Sequence, residues 1–463
     1  MGGTEQTSRG DRIADLLLLY RQEKKGAAWW NEQIGADSGL SIESSSTKTG
    51  AEKVTAMISS VAASERRKDL ATKGFALVDN LQNRELVSMI KHGIIRLYEQ
   101  NIPAAFIFLF DEAWELARSS HKEMQASCHT KNKFNFDMLA WYIAPGRAGF
   151  SPHRDRQPEN ALSSFHNDTL CEYPNEPKFI THWIALSDAR PKNSCLYFIP
   201  MFCDPGYLEG DKDDKDPLHA ALPDKSSYQC ITAVPRQQGQ SVMFTHRLIH
   251  WGSKSESGHD EPRIAISFVC SDPEYEPPFL NFDCSAAESS LPPLHLRVLL
   301  VCAQLICYHQ RFESSKATIK ACYDYCKEFE NELGETFRKN VFLEFVGAME
   351  EQRKRSSAPS PSEQLNETSN SDEEDAMMEE MLNAEDHGYG EFEDDFDVIE
   401  NTEDKLRQDD DVEEKKEIAG EGDDDSYDVD GREIFRKRAL ETSDSSLSRK
   451  VKQFLKGEDV PER

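Results

Sequence analysis

The chain has no apolar run approaching the roughly 20 residues that a helix needs to cross a bilayer, so no membrane span is expected. Its eleven cysteines form no C-x-x-C pair and keep no regular spacing. That, with their odd number, argues against a disulfide framework and for a reducing compartment. Several, such as Cys302 and Cys307 in VLLVCAQLIC, sit in apolar runs where free cysteine packs as a small hydrophobe. The opening stretch carries only Leu16 to Leu19 as an apolar run, with charges close on both sides, which is not the pattern of a secretory leader. Gln6 stands where a myristoylation motif wants Ser or Thr. The compartment these features point to is the cytoplasm. The nucleus is the alternative, because RKR at Arg436 to Arg438 and RKVK at Arg449 to Lys452 are basic.

Positive charge is also scarce where nucleic acid would need it. The formal net charge is −30, but it is not spread evenly. Residues 357–430 hold 30 of the 84 Asp and Glu and only 4 of the 54 Lys and Arg, so that segment alone carries −26. The rest of the chain is nearly neutral and offers no footprint for duplex nucleic acid, which requires clustered Lys and Arg. No nucleic-acid partner is therefore expected.

What is present divides the chain. Residues 1–70 read as a helical extension and linker: apolar Ile13, Leu16, Leu17 and Tyr20 fall at helical spacing over about Asp11 to Ile34, and Ser38 to Gly50 is rich in Ser, Thr and Gly. Trp29 and Trp30 read as docking residues for that helix. A further helix is expected over about Ala51 to Leu70. Residues 71–290 read as the core. GFALVDN (Gly74 to Asn80) is a strand candidate, followed by helices at RELVSMIKHGIIRLYEQN and around Phe106 to Ala117. Six more short strand candidates follow: Phe136 to Pro145, Lys178 to Asp188, Cys195 to Pro200, Gln229 to Pro235, Ser241 to His246 and Arg263 to Asp272. Many short strands in series predict a mainly β protein with flanking helices and a double-stranded β-helix, or jelly-roll, core. Residues 291–356 return to helical period and are expected to pack on that core. Residues 357–430 cannot bury enough apolar surface to offset chain entropy and read as a disordered acidic tail, with a basic protein as its candidate partner. Residues 431–463 are mildly basic, with room for one short helix.

The chemistry concentrates in four residues. In a strand-derived H-x-D, His153 and Asp155 point to the same side. A distal His250 completes two imidazoles and a carboxylate, a donor set suited to iron(II) that must also bind a co-substrate and oxygen. Arg263 opens the apolar strand RIAISFV thirteen residues later, and its planar two-pronged donor set matches a carboxylate. The chain holds a second H-x-D, His166/Asp168, which is the rival metal motif. The first is preferred because a strand and a Pro-Gly turn lie directly before it. His246 reads as a core residue or a support to the site, and His182 alternates with Trp183 on opposite faces of one strand.

These stretches, GFALVDNLQNRELVSMI, SPHRD, WIALSDARPKNSCLYFIP, GQSVMFTHRLIHWGS and PRIAISF, together resemble the phytanoyl-CoA dioxygenase family of iron(II) and 2-oxoglutarate oxygenases over about Gly74 to Pro273. The resemblance implies that His153, Asp155 and His250 bind Fe(II), that Arg263 binds the distal carboxylate of 2-oxoglutarate, and that Trp183 and Ser253 lie near that co-substrate. The sequence departs from the family pattern where Trp251 lengthens His-Gly-Ser, where Gln240 stands for the usual Asp, and in the long gap from His153 to Trp183, which His166 would bring closer to the family's usual spacing. The implied activity is hydroxylation of a small organic substrate, acyl or lipid-like among the options, using O2 and giving succinate and CO2. Two rivals remain. One is a catalytically silent jelly-roll scaffold whose acidic tail binds basic proteins, and the other is a cupin-like metalloenzyme that uses no keto acid.

Overall fold

The computed structural model describes residues 11–357, apart from 36–38, 44–58, 80–81, 148, 156–162, 167, 212–216, 257–260, 283–290 and 313. The acidic and basic C-terminal segments therefore lie outside the described residues, as does most of the expected linker. No described helix is long and apolar enough to cross a membrane.

Helix α1 spans Asp11–Gln22, shorter than the expected helix to Ile34, because the chain breaks at Glu23 to Gly26 before a short turn of helix at Ala27–Trp30. Trp30 is fully buried, with Tyr20 at 5.3 Å and Phe106 at 6.2 Å between ring centroids. Helix α2 follows at Ser60–Lys73, strand β1 at Phe75–Val78 and helix α3 at Arg84–Glu99. The side chain of Asn83 caps α3 by accepting hydrogen bonds from the backbone N–H groups of Glu85 and Leu86. The apolar run predicted as one helix around Phe106 is a tight 3-10 turn, Ala104–Leu109, that feeds helix α4 at Asp111–Ser127.

Strands β2 (Lys133–Ile143), β3 (Phe179–Ala185), β4 (Leu196–Ile199), β5 (Thr232–Val234), β6 (Ser241–Thr245), β7 (Ile249–Gly252) and β8 (Arg263–Ser271) follow. They make two antiparallel sheets. The larger has the order β1-β6-β3-β8-β2 and the smaller β5-β4-β7. This is the cupin-like jelly-roll architecture that the series of short strands predicts. Strand β7 is the one element absent from that series: it has four residues and joins the smaller sheet through Leu196↔Gly252, Phe198↔His250 and Ile199↔Ile249.

The alternation of side chains sorts the two faces. Trp183, Ala185, Val242, Phe244 and Ala265 of the large sheet pack with Leu196 and Phe198 of the small one, filling the space between the sheets. On the other face His182 is paired with α4: Ser120 Oγ lies 2.8 Å from Nδ1 and Ser241 Oγ 2.8 Å from Nε2. Burial, and secondarily the charge of Arg66, push that histidine down to about 3, so it is neutral. Three long helices close the described chain, α5 (Leu294–Cys307), α6 (Lys316–Glu328) and α7 (Glu335–Ser357), with a single turn of helix, His309–Phe312, between the first two. Cys203 and Cys230, 27 residues apart, form a disulfide across the segment between β4 and β5, a pairing their spacing does not advertise.

Candidate metal centre and co-substrate cation

Strand β2 ends at a Pro145-Gly146 turn. Gly146 has φ +76°, the value that the third residue of a type II turn requires, and Arg147 N–H donates to Ala144 C=O at 3.1 Å. The chain then runs back across β7. Gly149 N–H donates to Ser253 C=O, Gly252 N–H to Phe150 C=O, His153 and His250 exchange both backbone bonds, and Asp155 N–H donates to His246 C=O. This ladder needs bare backbone at its crossing. A Cβ on Gly149 would stand 2.8 Å from Gly252 Cα, and one on Gly252 would stand 3.2 Å from Gly149 Cα.

The ladder brings the first predicted trio together. Asp155 Oδ1 lies 3.8 Å from His153 Nε2 and 3.6 Å from His250 Nε2, and donor atoms of all three residues fall within 4.8 Å of one another. The other ring nitrogens are engaged by backbone: His153 Nδ1 with Ser151 C=O at 2.7 Å and His250 Nδ1 with Leu248 C=O at 3.0 Å. A carbonyl only accepts, so Nδ1 carries the proton in both rings and each Nε2 presents a lone pair to the cluster. That is the tautomer a metal ion takes, fixed by backbone oxygens. Burial, and then the neighbouring His250, push His153 down to about 4, so its ring is neutral in ordinary buffer. Thr181 Oγ1 reaches Asp155 Oδ2 at 3.4 Å. Two imidazoles and one carboxylate fit a divalent transition metal and leave its remaining positions open.

The second H-x-D is placed differently. His166 is exposed, and Asp168 is held by Lys131 at 2.9 Å and by the backbone N–H of Leu170 at 2.9 Å. Among the described residues neither belongs to a three-donor group. A different trio nearby, His129, Cys171 and Glu176, is close enough to hold an ion. There, however, Arg67 already meets Glu176 Oε2 at 2.7 Å, and backbone N–H groups of Glu172 and Tyr173 fill Oε1. That trio is tied up as a structural knot.

Arg263 is 1% exposed at the start of β8, and among the described residues none of its three guanidinium nitrogens has a hydrogen-bond partner. Its guanidinium lies over the Trp183 ring, 5.7 Å from the centroid. Burial pushes it down to about 10, the response of a cation with no counter-charge beside it. A buried guanidinium with every donor unspent is a site for an anion, and a carboxylate matches its geometry. Arg263 and the trio share one interior. Trp183 belongs to the cluster that holds Phe198 and Phe244, and Phe244 lies 4.8 Å from the His250 ring. Ser253 is half-buried one residue past β7, where its C=O anchors Gly149.

Sequence reading did not single out Asp137, Phe150, Tyr308 or Arg311, which surround the trio. Burial, then Asp155 and Glu276, push the Asp137 carboxyl up to about 7. The Phe150 ring stands 6.1 Å from that of His153, and the Arg311 guanidinium lies 4.6 Å from the centre of the Phe150 ring. An Asp within the apolar strand FNFDMLAWYI was the available signal for the first.

Residues 46–265 match the family model described as phytanoyl-CoA dioxygenase (PhyH). No curated protein matches the chain. Among solved structures, the chain is similar to the non-heme alpha ketoglutarate dependent epimerase SnoN from nogalamycin biosynthesis, with 16% identity, a TM-score of 0.36, and 46% of this chain and 82% of that one covered. It is likewise similar to the carbocyclase SnoK of the same biosynthesis, with 17% identity, a TM-score of 0.35, and 50% and 90% covered. AviO1 from Streptomyces viridochromogenes Tue57 gives 17% identity, a TM-score of 0.31, and 46% and 96% covered. Residues 46–265, just under half of the chain, thus carry a similarity to the phytanoyl-CoA dioxygenase family.

Proposed function

We propose that this protein is a non-haem iron(II), 2-oxoglutarate-dependent dioxygenase that hydroxylates a small organic substrate. The observation that carries the reading is the pairing of the His153/Asp155/His250 trio, its rings held through Nδ1 by backbone carbonyls, with a buried Arg263 that has no hydrogen-bond partner among the described residues, in one interior. A scaffold has no use for a buried cation that costs stability, and a metalloenzyme without a keto acid has no anion to offer it.

In this reading His153 and His250 hold the iron through Nε2 and Asp155 through its carboxylate. Arg263 takes the distal carboxylate of 2-oxoglutarate, with Trp183 beneath the guanidinium and Ser253 near that co-substrate. Bound iron with 2-oxoglutarate and O2 supplies oxidation of an unactivated C–H bond, with succinate and CO2 as the other products. The protein's work is orientation and exclusion of water. The Ser151 and Leu248 carbonyls keep both imidazoles aimed, and the apolar packing around Phe198 and Phe244 keeps the interior dry.

The test is anaerobic titration of the full chain with iron(II) and 2-oxoglutarate, following the weak visible band of the chelate. The band should form with the wild type and with His166→Ala, and fail with His153→Ala. A folded wild type that gives no band refutes the proposal, and a band lost with His166→Ala moves the metal to the second motif.

A further inference from the structure

We propose that Arg154, the residue between the two metal ligands of the H-x-D, is a positioning residue that latches the metal motif to the segment 203–211. The inference rests on the metal reading of His153, Asp155 and His250. The backbone ladder with β7 supports residues 149–155 from one side only. Arg154 supplies a second support. Its side chain is 6% exposed, and every one of its N–H donors is engaged. Nε reaches Asp211 Oδ2 at 2.8 Å, and Nη2 reaches Asp211 Oδ1 at 2.7 Å. Nη1 meets Asp204 Oδ2 at 2.6 Å, Nη2 meets Asp204 Oδ1 at 3.0 Å, and Nη1 also donates to the Arg247 carbonyl.

The partner segment is itself anchored near the distal ligand. Tyr207 Oη lies 2.6 Å from Thr245 Oγ1, and the Arg247 guanidinium donates to the carbonyls of Tyr207 and Gly206. Cys203 is bonded to Cys230 at its base. Arg154, Asp204, Asp211 and Arg247 thus make a charge-balanced cluster joining both arms of the metal site, since Arg247 precedes His250 by three residues and Arg154 stands between His153 and Asp155. Gly206 is part of the device. A Cβ there would stand 2.9 Å from Arg154 Nη2 and 2.5 Å from Asp211 Oδ1, so an added methyl would push the two ends of this ion pair aside. Two forked carboxylates on one guanidinium demand arginine at this position, because lysine is a point charge and cannot serve both.

The experiment is titration of the full chain with cobalt(II), reading affinity from its visible d–d bands, alongside circular dichroism for folding. Arg154→Gln and Gly206→Ala should each weaken cobalt binding about 10- to 100-fold, the range typical when a support behind the ligands is lost. Asp211→Asn, at the more exposed arm, should do so less severely. Gly206→Ala changes no charge and keeps the test alive if Arg154→Gln fails to fold. Folded Arg154→Gln or Gly206→Ala protein that binds cobalt within about twofold of the wild type overturns the latch. His153→Ala separates the two claims. If it abolishes cobalt binding while the latch variants do not, only the latch falls. If the wild type takes no cobalt, the metal reading falls and the latch with it.

Discussion

His153 and His250 exchange both of their backbone hydrogen bonds, at 3.0 and 2.9 Å, and their rings stand 4.4 Å apart. The separation of the two imidazoles is therefore set by main-chain pairing and not by side-chain rotamers alone. Any change that pries residues 149–155 from β7 should act on the metal before it acts on the fold.

Gly149→Ala is the direct probe of that pairing. The added Cβ meets Gly252 Cα at 2.8 Å and Gly252 O at 2.9 Å, which are backbone atoms that cannot swing aside. Overpacking of this kind costs about 1–3 kcal/mol. Metal affinity should fall by about tenfold or more, because the histidines lose their register. Urea unfolding and metal titration of the same preparation check both parts. Unchanged metal affinity would show that the ladder does not set the ligand spacing.

Arg263→Met should separate stability from co-substrate binding. The wild type buries a guanidinium without a counter-charge, and replacing buried charge by an apolar side chain of similar length is neutral or stabilising, by about 1–4 kcal/mol. The apo variant is expected to be at least as resistant to urea as the wild type. Saturating 2-oxoglutarate with metal should stabilise the wild type by about 2.7 kcal/mol at a hundred times its dissociation constant, and should leave Arg263→Met unmoved. A variant still stabilised by 2-oxoglutarate would assign the carboxylate to another residue.

The parts of the site that could be read from the sequence follow period-two alternation and turn chemistry. Those local rules put His153 and Asp155 after a Pro-Gly turn and set Trp183 and His182 on opposite faces of β3. Arg263, likewise, opens an apolar strand. What escaped depends on contacts between distant segments. Arg154 and Asp204 are 50 residues apart, and nothing in their neighbourhoods announces a partner. Tyr308 and Arg311 come from beyond the matched residues 46–265. Helical period shows that α5 has an apolar face, but not that the single turn of helix after it, His309–Phe312, delivers Arg311 to the Phe150 ring. Strand β7 was missed because four residues, Ile-His-Trp-Gly, are too few for a pattern, though they carry a proposed ligand.

The buried His182 predicts a pH dependence of stability whose sign is fixed. Its folded-state value is pushed down to about 3 from an ordinary 6.5, so below pH 6.5 the unfolded chain takes up a proton that the folded chain refuses. Where the unfolded state binds more protons, stability rises with pH. The contribution is thus complete above pH 6.5 and is lost progressively as the pH falls toward 3. Between pH 7 and pH 5 the loss is about 2 kcal/mol for this one group. His182→Gln keeps a donor and an acceptor for Ser120 and Ser241 but has nothing to titrate. Its absolute stability can differ from the wild type in either direction, so the quantity to compare is the slope. Urea midpoints measured from pH 7 to pH 5 should fall more steeply for the wild type than for His182→Gln. Parallel slopes would mean that the ring takes up its proton inside the folded protein, and that the Ser120–His182–Ser241 chain opens to water.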